Sequence, residues 1–446
     1  MSVTVAQAQA QLLEKTANSQ AISQQRAEVL NSGLAANLEM PHPVFIDRGQ
    51  GAFVYDADDN RYIDTSVGFG LHMLGHVHPV VEEAIQTRSK QGWMFGIHSV
   101  SQMKLANLLA QASPCGERVV FCNTGSEATM YAFRAARGFS GKEKIALFDG
   151  FYHGAHDYGM WATDPNSAVD APNHMAMGHG IPRALHDLTL LLPYNNPAAF
   201  DLIRKHKDEL ALVFVEGVQS SNPQKDVGPF LQALKEVCQQ NGVLFGIDEV
   251  ITGFRVAYGG AQERFDVVAD IATYGKVMGG GLPVGAITGR ADLMEVFTGL
   301  AAQNGIFSGG TFSGNPLTME AGAAAVAHLQ SHPEIYQRLE KLGNKLAVAV
   351  NSYCENESIP AHMLQVGSMF HMFFQQPSIH SMRDVRSEHM QAQKAFYLHC
   401  LNRGVLVPGT QRAFLSAAHN EEIVDDLIRV FCQSLADVNA EGLFNS

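Results

Sequence analysis

Between about residue 75 and residue 315 the chain alternates short apolar runs with longer stretches in which apolar positions recur at helical spacing. Residues 118–122, 144–148, 212–215, 243–247 and 286–288 read as buried strands, and residues 128–138 and 228–240 as helices between them. Apolar strands that alternate with helices predict a mainly parallel sheet covered on both faces. Upstream, residues 5–34 are rich in Ala, Gln, Glu and Leu and predict a helical arm, packed on the body or on a second subunit. Residues 44–47, 51–55 and 62–64 predict short antiparallel strands separated by Asp, Gly and Asn turns. An Ala-rich helix at 317–329 leads into a C-terminal α+β portion that ends in a helix at 421–435. The expected division is therefore 1–74 as arm and part of a small domain, 75–325 as a large domain, and 326–446 as the rest of the small domain.

Composition changes this picture little. The 446 residues carry a formal net charge of -13, with no dense Lys/Arg run, which disfavours nucleic acid. Cys115, Cys122, Cys238, Cys354, Cys400 and Cys432 are scattered without zinc or disulfide spacing, so a reducing compartment is expected. No signal peptide and no membrane-spanning apolar run is evident, and a cytoplasmic location is the expectation.

The chemistry concentrates around one lysine. Lys276 lies in Thr273-Tyr274-Gly275-Lys276-Val277-Met278-Gly279-Gly280-Gly281-Leu282-Pro283, and the apolar run before it ends in Asp248-Glu249-Val250. A lysine among small residues and a carboxylate at the end of a buried strand are what pyridoxal 5′-phosphate (PLP) asks of a protein: a covalent anchor and a partner for the ring nitrogen. Four further segments could complete such a site. Asn123-Thr124-Gly125-Ser126-Glu127 offers a helix N-terminus to a phosphate, although the same residues also read as a capping box. Tyr152 and His153 follow a strand end, where a ring can stack on a planar cofactor. Glu216 closes another strand, and the loop from Ser308 to Pro316 supplies hydroxyls and backbone donors, Thr311 among them. No zinc motif, no nucleophile elbow and no nucleotide-binding glycine pattern competes.

In this order the motifs resemble the class III (ω-) aminotransferases, PLP enzymes of fold type I. The chain is most similar to their glutamate-1-semialdehyde aminomutase branch, notably at 248–262 and 275–289, and the resemblance runs from about Phe45 to the C-terminus. It implies a large domain with a mainly parallel, seven-stranded type of sheet and a smaller α+β domain built from both chain ends. It implies that Lys276 carries the cofactor, Asp248 pairs with the pyridine nitrogen, Tyr152 stacks on the ring with His153 and Glu216 nearby, and Gly125 and Ser126 hold the phosphate. Thr311 would reach the phosphate of a neighbouring subunit, which implies a homodimer.

The departures bear on the substrate. Where the aminomutases have Asn-Ser-Pro-Val-Arg, whose arginine binds the substrate carboxylate, this chain reads Asn31-Ser32-Gly33-Leu34-Ala35-Ala36-Asn37. Phe69 replaces a Trp, Arg412 lies in a loop that carries Glu in the aminomutases, and Glu216-Gly217 replaces Glu-Pro. Arg412 occupies a loop where many ω-aminotransferases grip a co-substrate carboxylate. The expected activity is thus transfer of an amino group between an apolar or ω-amine, bound near Phe69 and Trp93, and a keto acid or aldehyde by a ping-pong cycle. Aminomutation and racemisation on the same cofactor are the alternatives.

Overall fold

The computed structural model describes residues 2–30, 41–164, 166–298, 305–375, 379–385, 388–408 and 412–445. The chain forms two compact units: Pro79–Pro333 with His380–Asp384, and Met1–His78 with Glu334–Ile379 and Val385–Ser446.

The first unit is built on seven strands: β1 (Arg118–Cys122), β2 (Lys144–Phe148), β3 (Thr189–Leu192), β4 (Leu210–Glu216), β5 (Leu244–Asp248), β6 (Ile271–Gly275) and β7 (Gly285–Gly289). Their order across the sheet is β1-β7-β6-β5-β4-β2-β3. β7 runs antiparallel to both β6 and β1, while β2 to β6 pair in parallel. Every residue of β4, β5, β6 and β7 is buried, as a sheet covered on both faces requires. The helix Gly125–Ser140 packs on β6 and β7 through Ala128, Ala132, Ala135 and Ala136, whose small side chains permit close approach. The helix Pro316–Ser331 packs against Pro79–Ser89, Val100–Ala112 and the turn Lys276–Gly279.

Two strands escape the apolar pattern. β6 hides because Thr273 interrupts it, yet that hydroxyl is buried and satisfied by donating to Asp248 Oδ1 at 3.0 Å. β3 is a four-residue edge strand, too short to carry a periodic signal.

In the second unit, Ile46–Gln50, Phe53–Asp56 and Arg61–Asp64 form the expected antiparallel strands, extended by Val405–Leu406 lying parallel to the third. Strand Ala413–Phe414 joins His362–Val366 and Met369–Phe373 in a separate sheet. The expected single N-terminal helix is two, Val5–Lys15 and Ala17–Val29, and residues 31–34 of that expectation lie outside the described residues. The break is made by a distant partner: the Asp58 carboxylate accepts from the N–H groups of Asn18 (2.7 Å) and Ser19 (3.0 Å), capping a new helix start. Ala8 and Leu12 pack with Leu398 and Leu401, which settles the first helix on its own chain. Among the described residues no helix is long and apolar enough to cross a membrane.

Candidate active site

The sequence motifs meet at one edge of the central sheet because the parallel strands β2, β4, β5 and β6 that carry them all end there. Register places Glu216, Asp248 and Thr273 side by side on β4, β5 and β6. Three residues past Thr273 stands Lys276, and across the β6–β7 pairing Gly275 faces Gly285, which in turn faces Cys122 at the end of β1. Open α/β sheets bind ligands at this carboxyl edge, where loops and helix starts converge.

Asp248 is buried to 4 % exposure, and its carboxylate is held from three sides. Oδ1 accepts from Thr273 Oγ1 and from the Val250 N–H, each at 3.0 Å, while Oδ2 pairs with His153 Nδ1 at 2.8 Å. Burying a carboxylate is costly unless hydrogen bonds replace its water, so these partners keep a fixed negative charge at the sheet edge. The structure thus joins two residues singled out in the sequence, Asp248 and His153, directly, and adds a third on the other carboxylate oxygen, Thr273, that was not. The signal for Thr273 was available: a hydroxyl residue on a buried strand adjacent to the Asp248 strand.

Lys276 has φ 45, a left-handed conformation that an L-residue adopts only where its surroundings enforce it. It follows β6 directly and opens the short turn Lys276–Gly279. The glycines nearby are set by crowding. A Cβ on Gly285 would lie 2.1 Å from the Thr124 carbonyl oxygen, and one on Gly125 would lie 2.8 Å from Val250.

The helix Gly125–Ser140 starts beside this point. Its N-cap is real, since Thr124 Oγ1 accepts from the Glu127 N–H at 3.1 Å, but the expected box is not closed: Glu127 accepts from the Asn123 N–H at 2.6 Å, one residue before the cap. The cap and phosphate readings are compatible, because the cap engages the Asn123 and Glu127 N–H groups and leaves those of Gly125 and Ser126, which a helix start does not pair internally, for a ligand. Ser126 Oγ accepts from the Ala155 N–H at 3.0 Å, tying the loop after Tyr152 to the same helix start. Tyr152 is 39 % exposed between buried Phe151 and His153.

Glu216 is buried and accepts from the Ser220 N–H at 2.8 Å. The Gly217 that replaces the expected proline has a steric reason: a Cβ there would sit 2.1 Å from Ala261 Cβ. Thr311 is exposed, on a loop whose Ser313 accepts from Asn123 Nδ2 at 3.3 Å. Trp93, 54 % exposed, belongs to the sheet unit, whereas Phe69 and Arg412 belong to the other. Within that unit Phe69 has φ 57 in a turn whose Gly70 abuts the Phe414 ring, two residues from Arg412. Residues 31–37, where one of the sequence departures falls, and residues 409–411, which precede Arg412, lie outside the described residues.

This donor set fits PLP. A buried, hydrogen-bonded carboxylate suits a pyridinium nitrogen, a helix start with serine suits a phosphate, and a lysine stands just past the end of the next strand. His153 Nε2 is buried with no partner among the described residues, a further polar atom available to a ligand. Among the described residues no group of three or more His, Cys, Asp or Glu could hold a metal ion.

Beside Asp248, the fully buried Glu249 is pushed up from 4.5 to about 7 by burial. It accepts from the N–H groups of Ala261 and Gln262, each at 3.0 Å, and so pins the segment after β5. A carboxyl raised on folding favours the folded state when protonated. Its contribution is full below pH 4.5 and lost as pH rises through about 7. The melting temperature of Glu249→Gln should therefore vary less than wild type across that window, and equal slopes for the two proteins would refute the assignment.

The class-III aminotransferase family model matches residues 34–438. The chain is similar to glutamate-1-semialdehyde 2,1-aminomutase 2 of an Exiguobacterium species, 39 % identical over 394 residues, covering 86 % of this chain and 88 % of that one. It is also similar to a crystal structure of an omega-transaminase from Sphaerobacter thermophilus, with TM-score 0.90, 29 % identity and coverage of 96 % and 99 %. A transaminase with PLP bound aligns with TM-score 0.86, 29 % identity and the same coverage.

Proposed function

Because this chain belongs to the class-III aminotransferases, we propose that it is a PLP enzyme that moves an amino group, with intramolecular transfer of the aminomutase type as its leading activity. The observation that carries the chemistry is Asp248, fixed by Thr273, Val250 and His153 one strand away from Lys276. When bound, PLP supplies a carbonyl that captures the amine and a ring that accepts electrons. Lys276 would anchor the cofactor, and its Nζ, when free, would take a proton from the substrate carbon that bears the nitrogen and deliver it to the carbon that is protonated in exchange. Asp248 keeps the ring nitrogen protonated, Tyr152 covers the ring, and Gly125 and Ser126 receive the phosphate. Glu216 borders the ring, and Thr311 serves the phosphate of a partner copy in a homodimer. The exposure of Phe307 (77 %) and Phe312 (62 %) on either side of Thr311 supports such a partner.

Similarity ranks the two activities in the reverse of the sequence expectation. The relative at 39 % identity is an aminomutase, whereas the solved omega-transaminase is at 29 %. Transfer between an amine and a keto acid remains the second reading, and its support is specific: Arg412 stands where the aminomutases carry Glu, and residues 31–37 contain no arginine. Offering one amino substrate without any acceptor separates them. Continued isomerisation establishes the intramolecular reaction, and one equivalent of carbonyl product followed by arrest establishes the intermolecular one. On the second reading Arg412→Ala should raise the KM for the keto acid about tenfold to a hundredfold, the worth of a charge-assisted bidentate pair. An unchanged KM would remove Arg412 from substrate binding.

A further inference from the structure

We propose that Arg383 is a positioning residue for Tyr152 and His153, acting through Asp149, an inference that rests on the PLP reading above. His380–Asp384 stands in the C-terminal stretch 326–446, expected from sequence to lie wholly in the small domain, but it belongs to the sheet unit. There it lies over the loop that follows β2. Arg383 Nε donates to Asp149 Oδ2, and Arg383 Nη1 donates to the Ser167 carbonyl at 2.8 Å. Both charged side chains are largely buried, with 15 % of Arg383 and 3 % of Asp149 exposed. The Asp149 carboxylate receives a second donor, Thr163 Oγ1, on its other oxygen. Met382 closes over the next residue so tightly that a Cβ on Gly150 would lie 2.3 Å from Met382 Cγ. The segment braces itself, since Asp384 Oδ2 accepts from the His380 and Ser381 N–H groups, each at 2.8 Å.

From below, the same loop is held by polar groups of the turn after β4. Gln219 Nε2 donates to the Asp149 carbonyl at 2.7 Å, and Ser221 Oγ donates to the Gly150 carbonyl at 3.1 Å. The loop is thus clamped between this turn and the Arg383 strap, three residues before Tyr152 and four before His153. A buried carboxylate that leaves its cation is strongly penalised, so any loop conformation that separates Asp149 from Arg383 is disfavoured. The backbone that aims Tyr152 outward, and His153 at Asp248, inherits that restriction. Arg383 touches neither ring; its effect is to narrow the positions open to both.

The test compares wild type, Arg383→Gln, Arg383→Lys and the double variant Asp149→Asn/Arg383→Gln. The readouts are PLP titration of the apoenzyme, the absorption band of the bound cofactor, amide exchange over residues 149–155 and thermal melting. Arg383→Gln should weaken PLP binding about tenfold, shift the band and speed exchange, the consequence of one lost charged hydrogen bond. Arg383→Lys, which keeps the charge but not the fork, should fall between it and wild type. The double variant should regain melting temperature, because no charge is left unpaired, yet keep the weak affinity and fast exchange. Recovery of affinity together with stability would reduce the pair to a structural role and overturn the proposal. So would variants indistinguishable from a PLP-binding wild type in affinity, band and exchange. A wild type that takes up no PLP would instead overturn the cofactor reading beneath it.

Discussion

Lys276→Ala is expected to fold and to lose turnover by about ten-thousandfold, the upper range for removal of a group that both anchors and transfers a proton. The residue lies at the end of a fully buried strand, in a left-handed conformation maintained against a cost of about 1 kcal/mol. Alanine meets nearly the same backbone cost, so melting temperature should change little while chemistry disappears. The cofactor should still bind through Asp248 and the helix start at Gly125, but it should wash out on gel filtration because its covalent anchor is gone. A variant that retained more than about one hundredth of wild-type turnover would take the proton-transfer role away from Lys276.

Asp248→Asn should be the second most damaging change. The amide can keep the shape of the site, with its oxygen accepting from Thr273 and Val250 and its nitrogen facing His153. It cannot keep the charge. A buried charge partner removed from one side costs about 3–5 kcal/mol, which corresponds to roughly a hundredfold to a thousandfold or more in kcat/KM. Thr273→Val, which removes one of the three donors and leaves the charge, should cost about 1 kcal/mol, or close to fivefold. Steady-state rates and cofactor affinity measured across both variants would rank the two effects. Comparable losses from Thr273→Val and Asp248→Asn would mean that geometry, not charge, is what the site needs from this carboxylate.

Much of the large unit was legible in the chain because buried parallel strands are nearly uniform in apolarity. The runs at 118–122, 144–148, 212–215 and 286–288 fall within strands of the sheet and 243–247 overlaps one that starts a residue later, although the edge strand at 118–122 is buried only at Cys122. β6 was not legible, because one polar residue broke the run and only the neighbouring strand supplies that residue's partner. The N-terminal arm failed for a related reason. Its composition is helical throughout, and the break at Thr16 is imposed by Asp58, which a local reading does not bring near.

The residues of the proposed chemistry, Lys276 after glycine, Asp248 after an apolar strand, Ser126 at a helix start and Tyr152 past a strand end, were nominated by sequence alone, because each is a local matter of residue type and neighbouring period. What only the tertiary structure decided is which of them touch. The pairing of His153 with Asp248 spans 95 residues and that of Arg383 with Asp149 spans 234. Such bonds depend on strand order and on where a chain segment returns, and those are set by packing of the whole unit rather than by any property of the residues that meet.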